Sequence, residues 1–78
     1  MEDAFMNSQN NITNLQTISA PWNKTISLQN VFYEGGMNML RLRIKEGKRF
    51  TDLELDFQTL TQLNVTFSEW LDVNAGKS

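Results

Sequence analysis

Three carboxylates alternate along one short segment of the chain, at Asp52, Glu54 and Asp56. On a β-strand, alternate side chains share a face and their Cα atoms repeat at about 6–7 Å. That spacing could hold a hard cation, or supply an acid and a base for catalysis. However, Arg41 and Arg43 are expected directly opposite two of the carboxylates. Exposed ion pairs are therefore the favoured interpretation, and we expect no catalytic residue, metal or cofactor.

A basic segment precedes the carboxylates and runs from Arg41 to Arg49. With Tyr33 and Phe50 nearby, it could imitate a sheet that stacks and clamps single-stranded nucleic acid. Between residues 25 and 56, however, five acidic side chains balance five basic ones. Because this cancellation removes most of the attractive field, a nucleic-acid-binding module is an alternative hypothesis, and nucleic acid is an unlikely partner.

Two residue types that carry much of enzyme chemistry, cysteine and histidine, do not occur in the sequence. Their absence removes thiol nucleophiles, disulfides, the commonest zinc ligand and the commonest general base at neutral pH. The serines consequently have no histidine to activate them. We therefore expect a protein that is not an enzyme. An accessory subunit of an enzyme is a further alternative.

The length of 78 residues indicates one domain with a small core, which no disulfide reinforces. Self-association, most simply as a homodimer, is the expected additional support. The net charge of −2 creates no broad field. No apolar run approaches the ~20 residues that cross a bilayer, and the first residues are polar and acidic, unlike a signal peptide. These features predict a cytoplasmic protein that does not associate with membranes.

Residues 1–24 are rich in Asn, Gln, Ser and Thr, and their apolar residues are too scattered to form a continuous face. They are predicted to be a flexible polar N-terminal arm. Pro21 would break a helix there, and Trp22 could pin the end of the arm to the domain. The folded domain is predicted to comprise residues 25–78.

From residue 25 to residue 56 the sequence alternates between apolar and polar side chains, which predicts three antiparallel strands. The hairpin around Gly47 has the most specific register. A two-residue loop of Gly47 and Lys48 sets leucines against leucines and Arg43 against Asp52. A slip of one residue would turn one strand's apolar residues outward, so this register is strongly preferred.

The first hairpin, around Gly35 and Gly36, is less well determined. A three-residue loop of Gly35, Gly36 and Met37 pairs Phe32 with Leu40. A two-residue loop of the glycines alone pairs Val31 with Leu40 instead. The longer loop is favoured because it puts the larger apolar residues on one side of the sheet.

The spacing changes after Asp56. Apolar residues then follow steps of three, four, three and one, which gather on one side of an α-helix; they are Leu60, Leu63, Phe67, Trp70 and Leu71. A fourth strand through Leu63, Val65 and Phe67 is the alternative, because β-branched residues interrupt the segment. The predicted fold class is α+β: a three-stranded antiparallel β-meander packed on one C-terminal amphipathic α-helix.

A single helix can cover only part of such a sheet, so some of its surface should remain available to a second copy or another protein. Edge strands offer a second route, by strand addition. The leading hypothesis is therefore a non-enzymatic protein-interaction module. The residues predicted to form its contact surface are Val31, Tyr33, Met37, Met39, Arg41 and Arg43.

The run LRLRIKEGKRFT from Leu40 to Thr51 precedes an acidic strand and a helix that ends in Glu69, Trp70 and Leu71. Over residues 26–72 this arrangement resembles short bacterial proteins of unknown function. The resemblance implies a small β-plus-α domain. It implies no activity, and no functional residue is transferred from it.

Overall fold

The computed structural model describes residues 11–76. They form four β-strands followed by one α-helix, which makes the fold α+β. The elements are β1 (Asn11–Ala20), β2 (Lys24–Tyr33), β3 (Met37–Glu46), β4 (Arg49–Leu55) and α1 (Phe57–Asn74). The strands lie in one antiparallel sheet in chain order, β1-β2-β3-β4.

The sheet has four strands, so the predicted number of three is wrong. The additional strand is β1, which lies within the segment assigned to the polar arm; residues 1–10 of that arm lie outside the described residues. Strand β1 is held through its backbone pairing with β2 and through polar side chains, since Gln29 Nε2 donates to Asn14 Oδ1 at 2.8 Å. Such an edge strand needs no alternating apolar pattern, and its sequence therefore did not indicate it.

The hairpin of β3 and β4 has the predicted register, in which Leu42 faces Leu53 and Arg43 faces Asp52. Gly47, in its two-residue turn, has a φ of 60°, a conformation that glycine adopts without steric cost. Both of the constraints identified in the sequence are satisfied here: apolar residues share one face and opposite charges share the other.

The register of the hairpin of β2 and β3 differs from the predicted register by two residues. Tyr33 pairs with Met37, and the loop consists of residues 34–36. The N–H of Gly36 donates to the carbonyl of Tyr33 at 3.1 Å. Phe32 consequently faces Asn38, not Leu40. A shift of two residues keeps every side chain on its predicted face, because side chains alternate with a period of two.

The registers divide the sheet into two faces. One face, called the apolar face below, carries Ile18, Ile26, Leu28, Phe32, Leu40, Leu42, Ile44, Leu53 and Leu55. The other, called the charged face, carries the arginines of β3 opposite the acids of β4, together with Val31 and Met39. Within residues 11–76 only Val31 and Leu55 have buried side chains, so the core is very small.

Helix α1 confirms the helical interpretation of the C-terminal segment and rules out a fourth strand through Leu63. Asp56 caps it by accepting a hydrogen bond from the N–H of Thr59 at 2.7 Å. The helix packs chiefly against the end of β4, the strand that precedes it. None of its residues is buried, and Leu60 and Leu63 alone among its apolar residues are half-buried. It therefore covers less of the sheet than the predicted packing requires.

Candidate interaction surface

The charged face contains a hydrogen-bonded network centred on Glu54, which β4 places opposite Arg41 of β3. Tyr33 Oη donates to Glu54 Oε1 at 2.6 Å, and Arg41 Nε and Nη2 donate to Oε2 at 3.1 and 2.9 Å. The bond from Tyr33, followed by that from Arg41, lowers the pKa of Glu54. The same bond, together with burial, raises the pKa of Tyr33. Glu54 is thus held ionised and fully engaged as an acceptor.

Arg43 and Asp52 form a second, two-pronged pair beside this network. Arg43 Nε and Nη2 donate to the two carboxylate oxygens of Asp52, each at 2.8 Å. The hydrogen bond from Arg43 lowers the pKa of Asp52. The guanidinium carbon of Arg43 also lies 5.5 Å from the ring centroid of Phe50, within the range of a cation–π contact. Both arginines of β3 are thus committed to partners within the chain.

The third carboxylate of the predicted acidic cluster has a structural role. Asp56 lies at the start of α1, and hydrogen bonds from the side chain and the backbone N–H of Thr59 lower its pKa. Each of the three carboxylates therefore has a partner: Asp52 pairs with Arg43, Glu54 with Arg41 and Tyr33, and Asp56 with the N-terminus of α1. Within residues 11–76 no group of three or more acidic side chains is placed to hold a metal ion.

The structure places the six predicted contact residues together on the charged face, but few of them offer accessible surface. Val31 is fully buried, while Tyr33, Arg41 and Arg43 are engaged by Glu54 and Asp52. Met37 is exposed and Met39 is half-buried. Most of this set stabilises the sheet itself, and the larger accessible surface lies elsewhere.

That larger surface begins with the apolar face of the sheet. Leu55 is its only buried member among the described residues, whereas Leu53, Ile18 and Phe32 are exposed. The central residues of the face, including Leu28 and Leu42, are half-buried. A face covered by a second layer would have buried residues at its centre. This face is therefore open over most of its area.

Helix α1 carries a second open apolar surface, called the helix stripe below, which consists of Leu60, Leu63, Phe67, Trp70 and Leu71. Leu60 and Leu63 are half-buried near β4. Phe67, Trp70 and Leu71 are all more than half exposed. The sequence had identified this stripe correctly, but as a cover for the chain's own sheet. Its exposed outer half is a finding of the structure.

A further exposed aromatic residue, Trp22, lies in the loop between β1 and β2, and its side chain is 86% exposed. It does not pin the chain to the domain as the sequence suggested. Its φ is 59° and that of Asn23 is 64°. Left-handed backbone is unfavourable for a bulky side chain and better tolerated by asparagine. In the sequence, the only indication of this exposed aromatic residue was its position beside a turn proline.

Within residues 11–76 no helix is both long enough and apolar enough to cross a membrane. No curated protein and no solved structure shows significant similarity to the chain. A family model matches almost the whole of the described segment and extends slightly beyond its N-terminal end. Because this match covers residues 9–73, the chain belongs to the family of unknown function DUF6967.

Proposed function

We propose that the protein is a non-enzymatic interaction module that associates with a second copy of itself through the apolar face and the helix stripe. The observation that carries this proposal is the exposure of both surfaces in a chain whose described core consists of Val31 and Leu55 alone. Monomeric proteins rarely leave contiguous apolar surface of this extent in water.

The exposed apolar area is of the order that a dimer interface requires. Aromatic side chains offer about 150–250 Å² each, and the six exposed members of the two surfaces are between 38% and 63% exposed. Together with the half-buried members they leave several hundred Å² of apolar surface per copy, on the order of the ~800 Å² that each partner contributes to an interface of standard size. Burial at about 25 cal/mol per Å² provides a large driving force, of which a part offsets the entropy lost on association.

The other hypotheses have less support from the site. Nucleic-acid binding needs arginines that reach phosphates, and Arg41 and Arg43 are held by Glu54 and Asp52. The carboxylates that an enzyme subunit would use are engaged in the same pairs. Cytoplasmic location and bacterial origin remain predictions from the sequence.

Light scattering coupled to size-exclusion chromatography, over a wide range of protein concentration, tests the proposal. We expect a mass twice the 9.0 kDa of the chain that falls toward the monomer on dilution. A mass that stays monomeric at every concentration would contradict the proposal.

Two substitutions on α1 provide a matched comparison. Phe67, in the helix stripe, is 52% exposed, and Val65, two residues earlier, is 55% exposed. Two residues correspond to about 200° around a helix, so Val65 lies on the opposite side. Phe67→Lys should shift the mass to that of a monomer, whereas Val65→Lys should leave it unchanged. An equal effect of both would contradict a role for the stripe.

A further inference from the structure

We infer that the two copies exchange their helices, so that the outer half of the helix stripe of each copy lies across the apolar face of the other. This inference rests on the proposed self-association and specifies its geometry. It assigns the apolar face as a docking site for the amphipathic C-terminal helix of a second copy, in preference to contacts between two sheets or between two helices.

The connection between β4 and α1 is the first reason. Only Asp56 separates Leu55, the last residue of β4, from Phe57, the first residue of α1. Connections between a strand and a helix packed on its sheet usually have two to six residues. A one-residue connection limits how far the helix can fold back, and Phe67, Trp70 and Leu71 consequently remain exposed. Short connections of this kind favour exchange of the following element between copies.

The outer half of the helix stripe fits on the apolar face. From Phe67 to Leu71 it is about 6 Å long, at 1.5 Å per residue. The apolar face is about 14 Å wide across four strands, at about 4.8 Å between neighbours. A groove of about 260 Å³ also opens where α1 leaves the sheet, with Leu40, Leu55 and Leu60 among its lining residues. It provides space for an apolar side chain of the second copy.

Charge favours helix on sheet only at long range. Of the charged strand residues, the registers place Lys24, Glu46 and Arg49 on the apolar face, which gives a formal charge of +1. Helix α1 contains Glu69 and Asp72 and no basic residue, which gives −2. At about 100° per residue both acids lie on the side of the helix away from Phe67, so they do not meet the charges of the sheet across the contact. Net potentials of opposite sign favour the approach of a helix to a sheet over the approach of two sheets or two helices.

Two full-length variants test the exchange. The helix variant combines Trp70→Lys and Leu71→Lys; both sites are exposed, and cations near the C-terminal end suit the helix dipole. The sheet variant is Leu53→Glu, at a site of the apolar face that is 51% exposed. Circular dichroism should show that both variants keep the secondary structure of the unmodified chain. Light scattering and native mass spectrometry then measure each variant alone and in an equimolar mixture.

If the two copies exchange their helices, the helix variant and the sheet variant should complement each other in a mixture. Each variant alone should associate about tenfold or more weakly than the unmodified chain, because both of its helix–sheet contacts contain a substituted residue. In the mixture, the intact helix of the sheet variant meets the intact sheet of the helix variant. A heterodimer should therefore form, and it should persist at about 0.5 M salt, where exposed charge attraction is largely screened.

Each alternative arrangement gives a different result. A helix variant that still dimerises alone indicates contact between sheets, and a sheet variant that still dimerises alone indicates contact between helices; either outcome overturns the exchange while leaving self-association intact. A mixture of folded variants that contains no heterodimer also overturns it. If the unmodified chain is monomeric throughout, the proposed function fails together with the exchange.

Discussion

Arg41 lies directly opposite Glu54 across β3 and β4, and its Nε and Nη2 donate to the same carboxylate oxygen. The other oxygen accepts from Tyr33, a residue of β2. Three of the four strands are thereby connected on the charged face. This network lies on the side of the sheet opposite the proposed docking surface, so the two can be altered separately.

Removing the centre of this network should destabilise the fold. Glu54→Ala should lower the free energy of unfolding by about 1–2 kcal/mol, because it leaves two donors in a half-buried site without their charged acceptor. Asp52→Ala, in the more exposed neighbouring pair, should have a smaller effect. Urea denaturation at fixed protein concentration measures both. Equal losses would show that the Tyr33 bond contributes nothing measurable.

Stability should decline in acid. The pKa values of Asp52, Glu54 and Asp56 are lowered in the fold. The folded state therefore binds fewer protons than the unfolded chain, whose carboxyl pKa values lie near 4. The resulting stabilisation is present above about pH 4 and is lost as the pH falls through the lower folded values. The midpoint temperature of unfolding, followed from pH 6 to pH 2, measures this loss.

A double variant provides the control for the acid dependence. Replacing Asp52 with Asn and Glu54 with Gln removes two of the three carboxyl groups whose pKa is lowered, so the stability of the double variant should depend less steeply on pH. A slope unchanged from that of the original chain would mean that other carboxyl groups cause the loss. At alkaline pH the sign reverses for Tyr33: its raised pKa means that stability is lost as the pH rises through the folded value.

The loop between β1 and β2 should become more stable when its tryptophan is replaced. Trp22→Asn should raise the free energy of unfolding by about 0.5–1 kcal/mol, since asparagine tolerates the left-handed backbone better than a bulky residue does. Trp22→Phe should change it little, because phenylalanine is similarly unsuited. Thermal unfolding monitored by circular dichroism compares the three chains. A loss of stability in Trp22→Asn would show that the indole makes a stabilising contact.

The small core can be tested with two valines. Val31→Ala should cost about 2 kcal/mol, because Val31 is fully buried and the substitution removes two methyl groups. Val65→Ala, at an exposed helix position, should be neutral or slightly stabilising, since alanine favours the helix. Denaturant titration distinguishes the two. A negligible effect at Val31 would contradict its place in the core.

The parts of the fold that the sequence predicted well are those where independent constraints agree. Between β3 and β4, leucine alternation, opposite charges and Gly47 all require one register, and the structure has it. The cap at Asp56 and the helical spacing that follows likewise agree. The loop of the first hairpin was misplaced by one residue, which shifts the register by two, since both registers keep the apolar residues on one face. Strand β1 was missed because its residues carry no alternation.

The sequence by itself determined which residues share a face, because side-chain direction follows from the period of each element. Only the tertiary structure decided which faces are covered. Coverage depends on the angle at which α1 leaves β4, and the one-residue connection at Asp56 leaves the outer helix away from its own sheet. The predicted contact residues accordingly lie on the charged face, where burial or hydrogen bonds engage four of the six, while most of the leucines expected to form the core remain half-buried or exposed.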